Sequence, residues 1–283
     1  MPTTLPPLVD AFEETVRSVI ELGRQCSEAD FARATACPGW TVKDQISHVV
    51  DLEAILAGAP EPSVDVPDFP HVRNDFGVFM ERGVHARRAV AGPEVVAELE
   101  SVLERRLAML RAPGMSAETP VDPGMSIDLP VRTAFDLMVL RIRDVWAHEQ
   151  DLRAALARPG GMGAGGAVVF LDTVFGFLPA LAARRAKVPV GHTVVLEVIG
   201  PVAGECGVRI DPRDDGKPTG VALDAAAIEA ARREHADVTW VTLDTESLAR
   251  RAAGRQSVDE TRYAVRGDTA IARAVVDAVV VTP

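Results

Sequence analysis

Cysteine is scarce in this chain: three residues, Cys26, Cys37 and Cys206, in 283, with no Cys-x-x-Cys pair among them. Neither a disulfide framework nor a cysteine-built structural zinc knuckle is suggested, and reduced thiols are expected. Dense basic runs are also missing, and the formal charge is -11. Nonspecific nucleic-acid binding, which depends on Lys and Arg neutralising phosphates, is therefore not expected, and the same logic disfavours an anionic membrane surface. No apolar run approaches the roughly 20 residues a transmembrane helix needs. Met1 to Leu22 has no basic leader, and Asp10, Glu13, Glu14 and Arg17 interrupt its apolar positions. A cytoplasmic protein is expected on these grounds. There is no internal repeat.

What is present is an ordinary globular composition, 47% hydrophobic and 25% charged, long enough for two modest domains. Residues 1–157 read as helical. Leu8, Phe12, Val16 and Ile20 recur at three- to four-residue spacing, which predicts an amphipathic helix over Leu5 to Cys26. Ser27 caps a short helical turn, and Cys37-Pro38-Gly39-Trp40 breaks the pattern. Thr41 then reads as an N-cap, with Asp44 reaching back in a capping box, for a helix from Val42 to Ala57. Helices are predicted over Asn74–Val90 and Pro93–Arg111, and a long helix over Val131–Ala157, with proline-rich loops at 58–70 and 113–130. The second loop has the composition of a segment that folds over whatever the bundle encloses.

Residues 158–166, with one proline and five glycines, read as a linker. They match G-x-G-x-x-G at Gly161 to Gly166, but a helix precedes them where a dinucleotide site needs a strand. Residues 167–283 change texture. A helix at 167–186 precedes strand-like segments at 192–199, 206–211, 221–223, 237–243 and 261–265, with helices at 224–233, 245–253 and 268–279 between and after them. The fold class expected is α+β: a four-helix bundle followed by a small α+β domain with a largely antiparallel sheet.

Asp144 and His148 stand four apart on one helix, so their side chains share a face one turn apart. Arg141 and Asp151 extend that polar stripe. Taken alone, such a stripe is the ordinary pattern of a solvated outer face. His48 lies in the helix capped by Thr41 and by itself is an ordinary surface or core histidine. Together, two imidazoles and one carboxylate are the ligand set of catalytic zinc, which keeps a fourth position open for water, substrate or thiolate. His71, His85, His192 and His235 have no ligand-like spacing and read as surface residues. Cys37 has no histidine nearby in an activating pattern and reads as part of a turn.

Cys37-Pro38-Gly39-Trp40-Thr41-Val42 followed by Asp44 and His48, and Arg143-Asp144-Val145-Trp146-Ala147-His148-Glu149-Gln150-Asp151, resemble the two signature segments of the mycothiol-dependent maleylpyruvate isomerase family. Val238 to Leu243, Ala252-Ala253-Gly254-Arg255 and Gly267-Asp268 resemble that family's sterol-carrier-like C-terminal domain. The resemblance implies a DinB-like N-terminal bundle in which His48, Asp144 and His148 ligate a divalent metal, zinc by preference. It also implies mycothiol as thiol cosubstrate and a contribution to catalysis from an arginine of the second domain, for which Arg255 is the nearest match. Read from its position alone, Arg255 is equally a residue that satisfies the carbonyls ending a helix. Asp144 stands where the characterised isomerase pattern carries Glu, so the substrate is not inherited. The activity implied is thiolate addition to a small electrophile, as an isomerase or a thiol S-transferase, by a monomer or small homo-oligomer. Direct metal-assisted hydrolysis needs only the same ligands. The alternative, resting on fold analogy, is a noncatalytic small-molecule or lipid carrier whose metal site is vestigial.

Overall fold

A computed structural model of the chain describes residues 2–233 and 236–281. These divide into two compact units, Met1–Gly166 and Ala167–Pro283.

The first unit is built on four long helices, α1 (Leu5–Arg24), α3 (Val42–Leu56), α5 (Gly92–Leu110) and α6 (Ala134–Leu156). Contacts between α1 and α6, α6 and α3, α3 and α5, and α5 and α1 close them into a ring. The short α2 (Glu28–Phe31) precedes α3, and α4 (Asp75–Arg87) packs on it. Leu8, Phe12, Val16 and Val19 of α1, Ile46, Val49 and Val50 of α3, Leu99 and Val102 of α5, and Met138, Ile142 and Val145 of α6 are fully buried where the helices meet. Their three- to four-residue recurrence is the apolar stripe that each helix must hide.

Helix starts follow local hydrogen-bonding chemistry. Ser27 with Asp30 and Thr41 with Asp44 form reciprocal capping boxes. A third box, Thr133 with Asp136, starts α6 at Ala134, three residues later than its apolar periodicity predicts. The reason is that Thr133 satisfies the Asp136 N–H only from an extended conformation, which fixes it outside the helix. The loop at 113–130 lays Val121, Met125, Ile127 and Leu129 against Leu52, Ile55, Leu56, Phe79, Val131 and Leu137. Glu61, in the loop after α3, receives both the amide and the hydroxyl of Ser126. The glycine-rich segment before the second unit is held to the first by Trp146 Nε1 donating to the Gly161 carbonyl and by the Gly165 amide donating to Glu14.

Helix α7 (Gly165–Ala180) continues through a π-helical turn at Leu181–Arg185. Contrary to the sequence expectation, this 21-residue stretch is long and apolar enough to cross a membrane by length and composition, with 56% of the apolar window buried. Its apolar surface serves the core of the second unit, where the Phe175 ring lies against Gly204 and the Pro179 backbone crosses so near Gly220 that a side chain there would collide with its carbonyl.

The sheet has the order β3 (Pro218–Ala222), β2 (Gly204–Pro212), β1 (Thr193–Ile199), β4 (Val238–Asp244), β5 (Ala264–Arg266). Three pairings are antiparallel, but β1 and β4 run parallel, so the sheet is mixed. A parallel neighbour needs a crossover, and the one that returns the chain from β3 to β4 carries α8 (Ala225–Arg233). Ile228 and Ala231 of α8 pack with Val195, Val238 and Trp240 on one face of the sheet. Helix α9 (Thr245–Ala252) follows β4, and α10 (Thr269–Ala278) closes the described chain and packs on the same strand. The two units together are the α+β class expected.

Candidate metal centre

Two helices that begin 92 residues apart bring the three ligand candidates together. On α3, the capping box at Thr41 fixes where the helix begins and therefore which face carries His48. The preceding turn is pinned by the Trp40 amide donating to the Cys37 carbonyl and by Gly39 at φ +78°. The His71 ring fills the space where a Gly39 side chain would stand. On α6, Asp144 and His148 project from successive turns.

Asp144 spans the two imidazoles. Its Oδ2 lies 3.3 Å from His48 Nε2 and its Oδ1 3.6 Å from His148 Nε2. The two rings are 4.7 Å apart between centroids, and one donor atom from each of the three residues falls within 4.8 Å of the others. Tetrahedral zinc, with bonds of about 2.0–2.2 Å, separates its ligand atoms by about 3.3–3.6 Å. The spacing and the donor set thus fit a small divalent ion. The triad can hold a metal ion.

The stripe that reads as a solvated face is instead buried. Arg141, His148 and Asp151 are 3%, 6% and 4% exposed, and only Asp144 keeps a 28% exposed side chain. The charges are stable there because they pair across helices. Glu53 of α3 takes Arg106 Nε of α5 on one oxygen at 2.9 Å and Arg141 Nε on the other at 2.6 Å. Arg141 Nη1 then donates to Asp144 Oδ2 at 2.8 Å. Burial opposes the Asp144 charge, but the Arg141 guanidinium beside it outweighs burial and holds the carboxyl well below its ordinary range. Burial pushes His48 down to about 4, so it is neutral at physiological pH, the form that ligates a metal.

That shift predicts an acid sensitivity in chelator-treated protein. His48 protonates near its ordinary 6.5 when unfolded and near about 4 when folded. Between these values the unfolded chain binds more protons, so stability is present above 6.5 and lost as pH falls toward 4, by about 3 kcal/mol in all. The depressed Asp144 adds its own loss only below 3.8. Thermal melts of metal-free protein across this range should show the fall; a flat profile above about pH 4 would contradict the neutral, buried His48.

A second polar hub adjoins the first. Trp40, whose ring lies 5.0 Å from His48 and 5.9 Å from His148, donates Nε1 to Glu81 of α4 at 2.8 Å. His71 also reaches Glu81, at 3.0 Å, and Arg88 pairs with it at 2.7 Å. His71 is therefore no free surface residue. His85 is half-buried, and His192, also half-buried, bonds Thr239 Oγ1 at 2.9 Å. His235 lies outside the described residues. Asp151 is 3.8 Å from His148 Nδ1, whereas Gln45 Oε1 is 2.8 Å away, so Gln45 and not Asp151 is the hydrogen-bond partner of that ring. Sequence reading missed Gln45, Glu53, Arg106 and Glu81. For two of them the sequence offered proximity: Gln45 stands three residues before His48 and Glu53 five after it on α3, whereas Glu81 and Arg106 lie on other helices.

Arg255 follows Gly254 at the end of α9, and its Nη1 donates to the Ala253 carbonyl at 3.0 Å. Cys37 sits in its turn, its carbonyl engaged by Trp40. Burial raises the Cys206 thiol to about 11, so it is not a nucleophile.

A helical bundle presenting two buried histidines and one carboxylate to a common point defines a bundle protein with a candidate metal site. The profile described as the mycothiol maleylpyruvate isomerase N-terminal domain matches residues 12–153, half of the chain, and the chain belongs to that family. Among solved structures, it is similar to the mycothiol-dependent maleylpyruvate isomerase, with 15% identity, a TM-score of 0.48 and 93% of each chain covered. A histidine-to-alanine mutant of that enzyme matches with the same identity and coverage and a TM-score of 0.49. No curated protein matches.

Proposed function

We propose that this chain is a zinc-dependent enzyme that uses mycothiol to attack a small electrophilic substrate, as an isomerase or a thiol S-transferase, in a reducing cytoplasm. The observation that carries the reading is the set of three converging donors, His48, Asp144 and His148, which leaves a tetrahedral ion one open position. Zinc bound there supplies a Lewis acid that keeps a coordinated thiol deprotonated at neutral pH. Family membership supports mycothiol as that thiol.

The roles of the chain's own residues follow from their chemistry. His48 and His148 present imidazole nitrogens to the ion, while Asp144 contributes the charge and is itself held by Arg141. Trp40 covers one side of the imidazoles and keeps water from them. Arg255 is assigned to a substrate carboxylate or developing enolate, for which a guanidinium fork is suited. In an isomerisation the thiolate sulfur bonds to one carbon of a conjugated double bond and the π electrons move onto the carbonyl oxygen as an enolate. Rotation follows about the resulting single bond. Collapse of the enolate then restores the double bond and expels the thiolate, with no net redox change. In an S-transferase the enolate is protonated and the adduct leaves.

Purified protein is expected to carry one zinc per chain, and mycothiol at a hundredfold excess over its Kd should raise the melting temperature by about 5 °C or more, in zinc-loaded protein alone. Arg255→Ala should lower turnover of an electrophile identified by adduct screening and leave bound zinc unchanged. Loss of zinc in that variant would remove Arg255 from the assignment. Absence of zinc from the wild type, with stabilisation by lipid, would favour the carrier; turnover without thiol would favour metal-assisted hydrolysis.

A further inference from the structure

We infer that Gln45 sets the tautomer of His148 and is thereby a positioning residue of the metal centre. Hydrogen-bond direction along the side chains that meet His148 decides the tautomer. Thr35 Oγ1 has one proton, and its well-placed acceptor is the Trp40 carbonyl at 2.9 Å, since the Cys37 carbonyl is 3.5 Å away. With that proton spent, the hydroxyl oxygen can only accept, as it does from the Cys37 amide at 3.2 Å. Gln45 meets the same oxygen at 2.5 Å, so the group it presents must be its amide N–H. The other end of the amide is then the carbonyl Oε1, 2.8 Å from His148 Nδ1. An oxygen acceptor there requires Nδ1 to carry the proton.

The consequence falls on the far side of the ring. A neutral imidazole protonated on Nδ1 has a lone pair on Nε2, and this atom faces Asp144 Oδ1 at 3.6 Å. A lone pair opposite a carboxylate is repulsive unless a cation lies between them. The chain from the Trp40 carbonyl through Thr35 and Gln45 therefore prepares His148 as a ligand before any ion arrives. Gln45 is wholly buried, so water cannot replace it as the acceptor. A backbone carbonyl in the turn at one end of this chain thus fixes which nitrogen is free at the other, and the amide cannot flip without breaking both of its bonds.

The inference rests on reading the triad as a metal centre, and two measurements separate their failures. In metal-free protein labelled with nitrogen-15 histidine, long-range proton–nitrogen correlation in mildly alkaline buffer should show His148 protonated on Nδ1. Protonation on Nε2 would overturn the inference whatever the metal content. In chelator competition with zinc alone, Gln45→Leu should weaken binding about 10–100-fold, the range expected for loss of an outer partner of a histidine ligand. Gln45→Glu should stay within about threefold of wild type, because its carboxylate still accepts from Nδ1 and the Thr35 hydroxyl can turn to donate to it. If Gln45 served only packing, the order would reverse, since a buried charge disturbs the core more than leucine does. Zinc binding by Gln45→Leu equal to wild type would also overturn the inference. A wild type that binds no zinc would sink the metal reading and leave the tautomer measurement to decide the role of Gln45. Should the leucine variant not fold, the wild-type spectrum and the Gln45→Glu affinity still decide it.

Discussion

Replacing His48 with alanine should remove stoichiometric zinc, weakening affinity about a hundredfold or more. The magnitude follows from sharing the roughly 10–16 kcal/mol of a four-ligand protein zinc site among its ligands, about 3 kcal/mol each. His48 cannot be replaced by a neighbour: the nearest other histidine partner of Trp40 is His148, already in the set. The same variant carries a second signature that does not depend on metal. Because the wild-type acid sensitivity between pH 6.5 and about 4 is assigned to burial of His48, the chelated variant should lose that slope even though its melting temperature falls from the cavity beside Trp40. Zinc analysis by mass spectrometry and melts across pH test the two halves separately. Retained stoichiometric zinc in the variant would refute the ligand assignment.

Glu53→Ala is expected to be the most destabilising single change in the first unit. Its carboxylate, 1% exposed, is shared by Arg106 and Arg141, whose side chains are 4% and 3% exposed. Removing it leaves the buried Arg106 guanidinium without its carboxylate and Arg141 with Asp144 alone. Breaking a buried pair in this way costs about 3–5 kcal/mol, because the stranded charge has lost its water as well as its partner. For a unit of this size that corresponds to about 10 °C in melting temperature. The effect reaches the candidate metal site, since Arg141 also donates to Asp144 and its Nε would lose the carboxylate that fixes its plane. Zinc affinity should fall with stability. Glu53→Gln, which keeps an acceptor for one arginine, should be milder. A melt within about 2 °C of wild type for Glu53→Ala would show that the buried chain from Arg106 to Asp144 carries little of the fold.

Local chemistry was readable along much of the chain. Thr41 and Asp44 announce the start of α3, and the turn before it follows from Pro38 and Gly39. The apolar spacing of Phe12, Val16 and Ile20 locates α1. Two boundaries were less legible: the local box of Thr133 and Asp136 starts α6 later than apolar spacing alone suggests, and a tertiary partner sets β5, which pairs with β4 over Ala264–Arg266, later than the composition of 261–265 suggests. The sheet's one parallel pairing was illegible, because strand-forming residues specify extension and alternation but not which neighbour a strand finds across a helical crossover.

The candidate ligands were visible by residue type and by the i, i+4 spacing of Asp144 and His148. Their burial was not. Periodicity sorts positions by hydrophobicity, so a polar residue satisfied inside the bundle looks the same as one facing water. Arg141, Glu53 and Arg106 are buried only because each finds an opposite charge on another helix, 53 or 88 residues away along the chain. The sequence specified the helices, their caps and the three donors, all set by interactions within a few residues. Tertiary structure alone decided that the donors meet, that the charged stripe turns inward and that Gln45 faces His148, since each depends on desolvated polar groups pairing between segments far apart in the chain.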